Sequence, residues 1–217
     1  HQSILIAQTS PFFHQNWRLK NIGITNFDTS SRNSNTSVDL IYTGDYFSNT
    51  TGEYKQTTNY CYVMDLIVSG KYDSLFWGSN VLFGFDFVGI EGVNPSNNIG
   101  DYQGISSIAA PRTWRPYETW FQFDVFNDKH TVLFGMFDIN SEFYYNELST
   151  LFVNSAFAIG PEFSQNGSVG APTYPNPGVG LRFNTILNNT ASLKVALMDG
   201  NPSSPNNIWR EYYKVGR

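Results

Sequence analysis

The sequence has few of the residues that mark disulfide-stabilised, metal-binding or nucleic-acid-binding proteins. Its 217 residues include one cysteine, Cys61, which excludes an internal disulfide framework and suits either a cytoplasmic protein or a bacterial envelope protein. The three histidines, His1, His14 and His130, do not have the spacing of metal ligands. The formal net charge of −5 argues against nucleic acid as a partner, because nucleic acid requires a basic surface.

Long apolar runs and catalytic signatures are also missing. The sequence has no stretch of about 18 apolar residues, which excludes helical membrane spans but not a membrane barrel, whose strands are half polar. It has neither a nucleophile elbow nor a phosphate-binding loop. Carboxylates such as Glu118 and Asp124 are too common on strands to indicate a glycosidase pair. We therefore predict no enzymatic activity and no cofactor.

Aromatic and small polar residues are abundant. The sequence is 17% aromatic, with 18 Phe and 13 Tyr, but only 14% charged, which is the composition of an all-β protein. Residues 1–36 form a distinct N-terminal segment, with a short helix expected over Pro11 to Ile24 and a polar linker after it. No signal peptide is visible before His1, so we expect a mature or trimmed form.

Strands and loops are expected from residue 37 to residue 217. The clearest alternation begins at Tyr117, after a loop from Ala110, and places Phe121 and Phe123 opposite Trp120 and a row of polar residues. Similar alternation predicts seven strands, with a further strand start at Ile208: Ser37 to Ser48, Thr57 to Val68, Asn80 to Val88, Tyr117 to Val125, His130 to Asp138, Val179 to Ile186 and Ser192 to Met198.

The connections between these strands alternate in length. We predict short turns at Lys71 to Ser74, at Asn127 to Lys129 and at Asn188 to Asn189, and long loops over Gly89 to Arg115 and Asn140 to Gly178. Short turns at one end and long loops at the other are typical of outer-membrane barrels. The strands also have the length of about 9–11 residues that a tilted membrane strand needs. A soluble sandwich or jelly roll is the alternative.

Four ordered motifs resemble those of the carbohydrate-selective porins of Gram-negative outer membranes, the OprB type. The most specific is APRTWR, from Ala110 to Arg115, followed by YETWFQ from Tyr117. The others, in family order, are YTGD from Tyr42, GMFDINSEF from Gly135 and LFVNSAFAIGPEFS from Leu151. Two features depart from the family. The segment before the first strand matches the family's segment only in a few residues, and the chain has about half the usual length.

The resemblance implies an antiparallel transmembrane β-barrel, of which this chain supplies about half of about sixteen strands. It implies an outer-membrane location, with lipid around the apolar face, and passive diffusion of monosaccharides or small oligosaccharides through the lumen. It leaves the oligomeric state, monomer or homo-oligomer, open.

Groups suited to a sugar path cluster around the strand that begins at Tyr117. Arginines and carboxylates bind hydroxyl groups, aromatic rings contact the apolar face of a pyranose, and binding must stay weak enough for release. The constriction predicted from these groups comprises Arg112, Trp114, Arg115, Glu118, Trp120, Gln122, Asp138, Asn140 and Glu142. We also expect the long loop from Asn140 to Gly178 to fold inward and narrow the pore.

These residues also have structural interpretations. Arg112 and Arg115 can equally anchor loops by pairing with Glu118 and Glu142. Tryptophans are common in the aromatic belts at membrane interfaces, and the alternation does not assign Trp114 to either face. Trp120, in contrast, shares the parity of the polar residues, which favours the lumen.

A soluble, secreted carbohydrate-binding sandwich is the second hypothesis. Four Asn-x-Ser/Thr sequons suit a glycosylated ectodomain, although such triplets also arise by chance in loops this rich in Asn, Ser and Thr; they begin at Asn35, Asn49, Asn166 and Asn188.

Detergent dependence separates the two hypotheses. A barrel exposes its apolar face and should partition into detergent or lipid, whereas a sandwich buries its apolar residues and should stay in buffer. We expect the purified protein to require detergent in a phase-partition assay. Recovery of folded protein in the aqueous phase would favour the sandwich.

Overall fold

The chain folds into one antiparallel sheet of seven strands, in which each strand pairs with the next in sequence. The computed structural model describes residues 35–50, 56–76, 79–125, 129–165, 170–188, 191–200 and 202. The strands are β1 (Asn35–Asn49), β2 (Thr57–Phe76), β3 (Ser79–Gly92), β4 (Thr113–Val125), β5 (His130–Phe137), β6 (Gly178–Asn188) and β7 (Ala191–Met198). The fold is all-β and antiparallel, as predicted.

All seven strands predicted from alternation are present, but three of them, β2, β3 and β4, extend at least four residues beyond the predicted bounds. The turn predicted at Lys71 to Ser74 is wrong, because β2 continues to Phe76 and Lys71 pairs with Leu82 of β3. The loop predicted over Gly89 to Arg115 is wrong at both ends, because β3 continues to Gly92 and β4 begins at Thr113. In each of these places the hydrogen bonds of the neighbouring strand extend pairing beyond the alternating segment.

Several predictions fall on residues outside the described ranges. They include residues 1–34 with the helix expected over Pro11 to Ile24, the strand start at Ile208, and most of the turns at Asn127 to Lys129 and Asn188 to Asn189. The division between an N-terminal segment and a β region at residue 36 therefore stays a prediction.

Connection length is segregated between the two ends of the sheet, as predicted. At one end, successive strands are separated only by residues 77–78, 126–129 and 189–190. At the other end lie residues 50–56 and two long segments, residues 93–112 and 138–177, which we call the first and second long loops. They contain helices α1 (Ser96–Ile99), α2 (Ile139–Phe143) and α3 (Pro161–Ser164), and 3-10 turns at Glu147–Leu151 and Ser155–Phe157. No helix among the described residues is both long enough and apolar enough to cross a membrane.

One face of the sheet is apolar and exposed. Phe121 pairs with Phe134, and Phe134 with Leu181, so that a row of large apolar side chains crosses three strands. Phe134 is 56% exposed, although it lies near the middle of the sheet. A face of this kind is typical of strands that contact lipid. It also distinguishes this single sheet from the sandwich alternative, in which a second sheet would cover it.

The opposite face lies beneath the two long loops and carries polar residues along most of its length. Near the loops, however, it is apolar: Val63, Val88, Ile90 and Tyr117 form a buried cluster against residues of both loops. The alternation places Tyr117 on the other face, and this prediction is wrong. Asp86 pairs with Glu118 but Phe87 pairs with Pro116, so Tyr117 is the extra residue of a bulge, which reverses the parity of β4.

The two faces predict opposite effects for the same substitution. Phe183→Lys, in the middle of β6, places a charge on the apolar face and should lower the free energy of unfolding by about 2–4 kcal/mol, as charges do at the bilayer midplane. Asn184→Lys places the same charge on the polar face and should cost less than about 1 kcal/mol. Urea unfolding in lipid vesicles measures both. Equal costs would contradict the assignment of the faces.

Candidate functional site: the polar face beneath the long loops

The first long loop is tied to the polar face of β1 and β2 by buried side chains. Ser106 donates a hydrogen bond of 2.8 Å from its hydroxyl to Asp45 Oδ2, and its Oγ lies 3.6 Å from the Cys61 sulfur. Asn98 Nδ2 donates to Asn59 Oδ1 at 3.2 Å. Strand positions of one parity therefore hold this loop over the sheet.

The second long loop is held by Asp138, which follows β5 and caps helix α2. Its Oδ1 accepts from the backbone N–H of Asn140 at 2.7 Å, and its Oδ2 accepts from the Tyr117 hydroxyl at 2.7 Å. Oδ2 also accepts from the Tyr174 N–H at 3.3 Å. Burial raises the pKa of Asp138, although these hydrogen bonds, which favour the charged form, oppose the shift.

Helix α2 lies over the polar face and carries Glu142 to β6 and β7. Glu142 Oε2 lies 3.0 Å from Arg182 Nε and 3.0 Å from Lys194 Nζ. Arg182 also donates to Thr131 and to Gln122, each at 2.7 Å. We call these five residues the Glu142 network. It joins four strands to the second long loop and holds helix α2 over the polar face, whereas the narrowing of a pore by this loop stays a prediction.

Trp120 and Glu118 lie beside this network on β4. Trp120 lies flat over Gly84, where a Cβ would come within 2.5 Å of its indole ring. Its Nε1 donates to Glu118 Oε2 at 3.2 Å, and Glu118 Oε1 accepts from the Asp138 N–H at 2.9 Å. The alternation placed Trp120 on the polar face, and the structure has it there.

Arg112 and Trp114 lie on the other side of the sheet. The Trp114 ring contacts Phe87 on the apolar face, with ring centroids 6.5 Å apart. Arg112 Nε and Trp114 Nε1 both donate to Glu91 Oε1, at 2.8 and 2.9 Å. Arg112 thus pairs with Glu91 and with neither of the glutamates expected from the sequence. The bulge at Tyr117 is the reason, because it reverses the parity of the strand.

Tyrosines accompany Trp114 at the same end of the apolar face. Tyr42 and Tyr62 stack at 5.2 Å, and the hydroxyl groups of Tyr42 and Tyr60 are hydrogen-bonded to each other. This arrangement is typical of an aromatic belt at a membrane interface. The structural interpretation of Trp114 therefore fits its position.

The structure thus divides the nine predicted residues. Arg115 is 1% exposed and donates to Asn176 of the second long loop at 3.4 Å, so it holds a loop. Arg112 and Trp114 lie apart on the apolar face. The remaining six come together where the second long loop meets the polar face: Glu118, Trp120 and Gln122 on β4, and Asp138, Asn140 and Glu142 in the loop.

Arg182 and Lys194 are the functional candidates that the sequence prediction did not include. Both stand at polar positions of alternating strands, Arg182 between Leu181 and Phe183. That signal marks the face but cannot reveal a partner, and Glu142 lies 40 residues before Arg182. In the described part of the chain, no three His, Cys, Asp or Glu side chains are grouped so as to hold a metal ion.

Comparisons with known proteins agree with the antiparallel all-β fold. The model of the carbohydrate-selective porin, OprB family matches residues 74–216. The solved high pH structure of Pseudomonas putida OprB is similar, with a TM-score of 0.70 and 20% sequence identity over 81% of this chain. The chain spans 44% of that protein's length. No curated protein matches the sequence.

Removing the charge of Glu142 should destabilise the Glu142 network. Glu142→Gln leaves Arg182, which is 5% exposed, without its carboxylate, and we expect a loss of about 3 kcal/mol in the free energy of unfolding. Lys194→Met removes a more exposed partner and should cost less than about 1 kcal/mol. Urea unfolding of both variants tests the difference. Equal losses would show that Arg182 does not depend on Glu142.

Proposed function

Because the chain belongs to the carbohydrate-selective porin family, OprB, we propose that it forms part of an outer-membrane pore for passive diffusion of small sugars. The observation that carries this proposal is the opposition of the two faces of the sheet. Exposed apolar side chains cover one face, whereas charged, amide and indole groups line the other beneath the loops. The first face suits lipid, and the second suits a water-filled lumen.

The groups on the polar face have the chemistry that a permeating sugar requires. Carboxylate, guanidinium and amide groups exchange hydrogen bonds with hydroxyls, so a sugar can replace the water that it loses. The flat indole of Trp120 offers a surface to the apolar face of a pyranose. We propose that the path runs past Glu118, Trp120, Gln122 and Glu142, together with Arg182 and Lys194. The partners are monosaccharides or small oligosaccharides, and the lipid is that of a Gram-negative outer membrane.

The chain has about half the length of the similar solved porin, which bears on how the pore is completed. In the described ranges, β1 and β7 each pair with a single neighbour, so the sheet is open there. Closing the lumen requires further strands, because an unpaired strand edge is unfavourable in lipid. We propose that these strands come from elsewhere in the same porin or from other copies.

Swelling of liposomes tests diffusion directly. Liposomes that contain the full-length porin should swell when diluted into isotonic glucose without any energy source, and the rate should fall for larger sugars because a pore of fixed width admits them more slowly. Absence of swelling by the folded, full-length form would reject the proposal.

The two tryptophans provide a matched test of the path. Glucose and sorbitol have similar sizes, but only glucose has a pyranose ring whose C–H face can pack against an indole. Trp120→Ala should bring the ratio of glucose to sorbitol swelling rates towards one, whereas Trp114→Ala, on the apolar face, should leave it unchanged. If the ratio changed for Trp114→Ala alone, the sugar path would run along the face that carries Trp114, which would contradict the proposed path past Trp120.

A further inference from the structure

One level of the polar face carries a single large side chain across four neighbouring strands. The residues paired in register at this level are Gly84 of β3, Trp120 of β4, Gly135 of β5 and Gly180 of β6. Because three of the four are glycines, the surface here consists of backbone and one indole ring. The position of that ring therefore decides how far the polar face extends outward from the sheet at this level.

Gly84 makes room for the ring to lie against the sheet. A Cβ at Gly84 would lie 2.5 Å from Cε2 and from Cζ2 of the Trp120 ring, and 2.9 Å from its Nε1. Carbon atoms that are not bonded to each other pack at about 3.5–4.0 Å, so even the methyl group of alanine does not fit beneath the ring. The indole thus occupies the place of the side chain that Gly84 lacks.

A hydrogen bond to Glu118 holds the ring in this position. Trp120 Nε1 donates to Glu118 Oε2 at 3.2 Å, and Glu118 Oε1 accepts the N–H of Asp138 at 2.9 Å. The carboxylate is therefore bound on two sides and cannot follow a ring that moves away from the sheet. Displacing the ring breaks its hydrogen bond, so the indole leaves the sheet only when it is forced to.

Other positions against the sheet are already occupied. On the side of β6, Phe137 is 1% exposed and lies so close to Gly180 that a Cβ there would be 3.2 Å from its ring. Further along β4, Gln122 accepts a hydrogen bond of 2.7 Å from Arg182. A ring displaced from Gly84 therefore moves outward from the polar face, into the space that a solute would cross in the proposed pore.

We propose that Gly84 is a positioning residue that sets the width of the sugar path, because it allows the Trp120 indole to lie against the sheet. This inference rests on the proposed function, since the width matters only where a solute passes. A side chain at position 84 raises the edge of the indole into the lumen. The narrower path then hinders larger solutes more than smaller ones.

Liposome swelling by the full-length porin, with glucose and maltose as probes, tests the role of Gly84. Maltose consists of two glucose units, so the two sugars differ in size but offer the same ring surface to the indole. Gly84→Ala should lower the ratio of the maltose rate to the glucose rate about fivefold. In the double variant Gly84→Ala/Trp120→Ala the displaced ring is absent, and the ratio should equal that of Trp120→Ala alone.

Gly89→Ala is the matched control. Gly89 lies on the same strand and pairs with Trp114, and a Cβ there would lie 2.5 Å from the Trp114 ring. The substitution therefore displaces an indole in the same way, but on the apolar face. The ratio of the maltose rate to the glucose rate should stay that of the wild-type protein.

Trp120→Ala keeps the inference testable if Gly84→Ala does not fold. A ring that lies against the sheet occupies little of the lumen, so its removal should raise the ratio of the maltose rate to the glucose rate less than about twofold. A larger increase would show that the indole already projects into the lumen, which would overturn the inference. The shift in gel migration between heated and unheated samples shows which variants are folded.

The same assay separates failure of this inference from failure of the proposed function. If wild-type liposomes swell but folded Gly84→Ala has the wild-type ratio, the role of Gly84 is rejected and the pore stands. If Gly84→Ala lowers the ratio equally with and without Trp120, the effect does not pass through the indole, and the role is again rejected. If wild-type liposomes do not swell, the pore is rejected and the role of Gly84 in permeation is rejected with it.

Discussion

The carboxylate of Asp138 joins the strands of the sheet to the second long loop. It receives the Tyr117 hydroxyl from β4, the N–H of Asn140 from helix α2 and the N–H of Tyr174 from the end of the second long loop. Its own N–H is accepted by Glu118, also of β4. Because a buried carboxylate is stable only with such donors, these three elements take their positions together. The polar face of β4 and the second long loop both depend on that arrangement.

Much of the fold could be predicted from the sequence because a strand with two different environments must alternate every second residue. The positions of all seven strands follow from that rule, as does the segregation of short and long connections. The ends of strands do not follow from it. Lys71 and Thr113 belong to strands because a neighbouring strand offers hydrogen bonds there, and the alternation of a single segment contains no information about its neighbour.

The candidate site was predictable only in part, for a related reason. Glu118, Trp120 and Gln122 share one parity within a single strand, so local alternation places them together. One extra residue at Tyr117 reverses that parity, which moves Arg112 and Trp114 to the apolar face. Pairing across the sheet is harder still to predict. Glu142 reaches Arg182 because helix α2 brings it to the polar face of β6 and β7, and nothing in the spacing of the two residues indicates it.

In the proposed pore, the anchoring of the long loops also changes how selectivity should be understood. Near the loops, the inner face of the sheet is an apolar core around Val63 and Ile90, and loop residues cover it. There the surface that a solute would meet in the proposed pore is made by loop residues rather than by strands. Strand positions such as Arg115 then act indirectly, through the loop that they hold. Substitution of a residue that binds a sugar and substitution of a residue that holds the first in place will both alter transport. Only substitution of the sugar-binding residue will change the preference between two sugars of equal size.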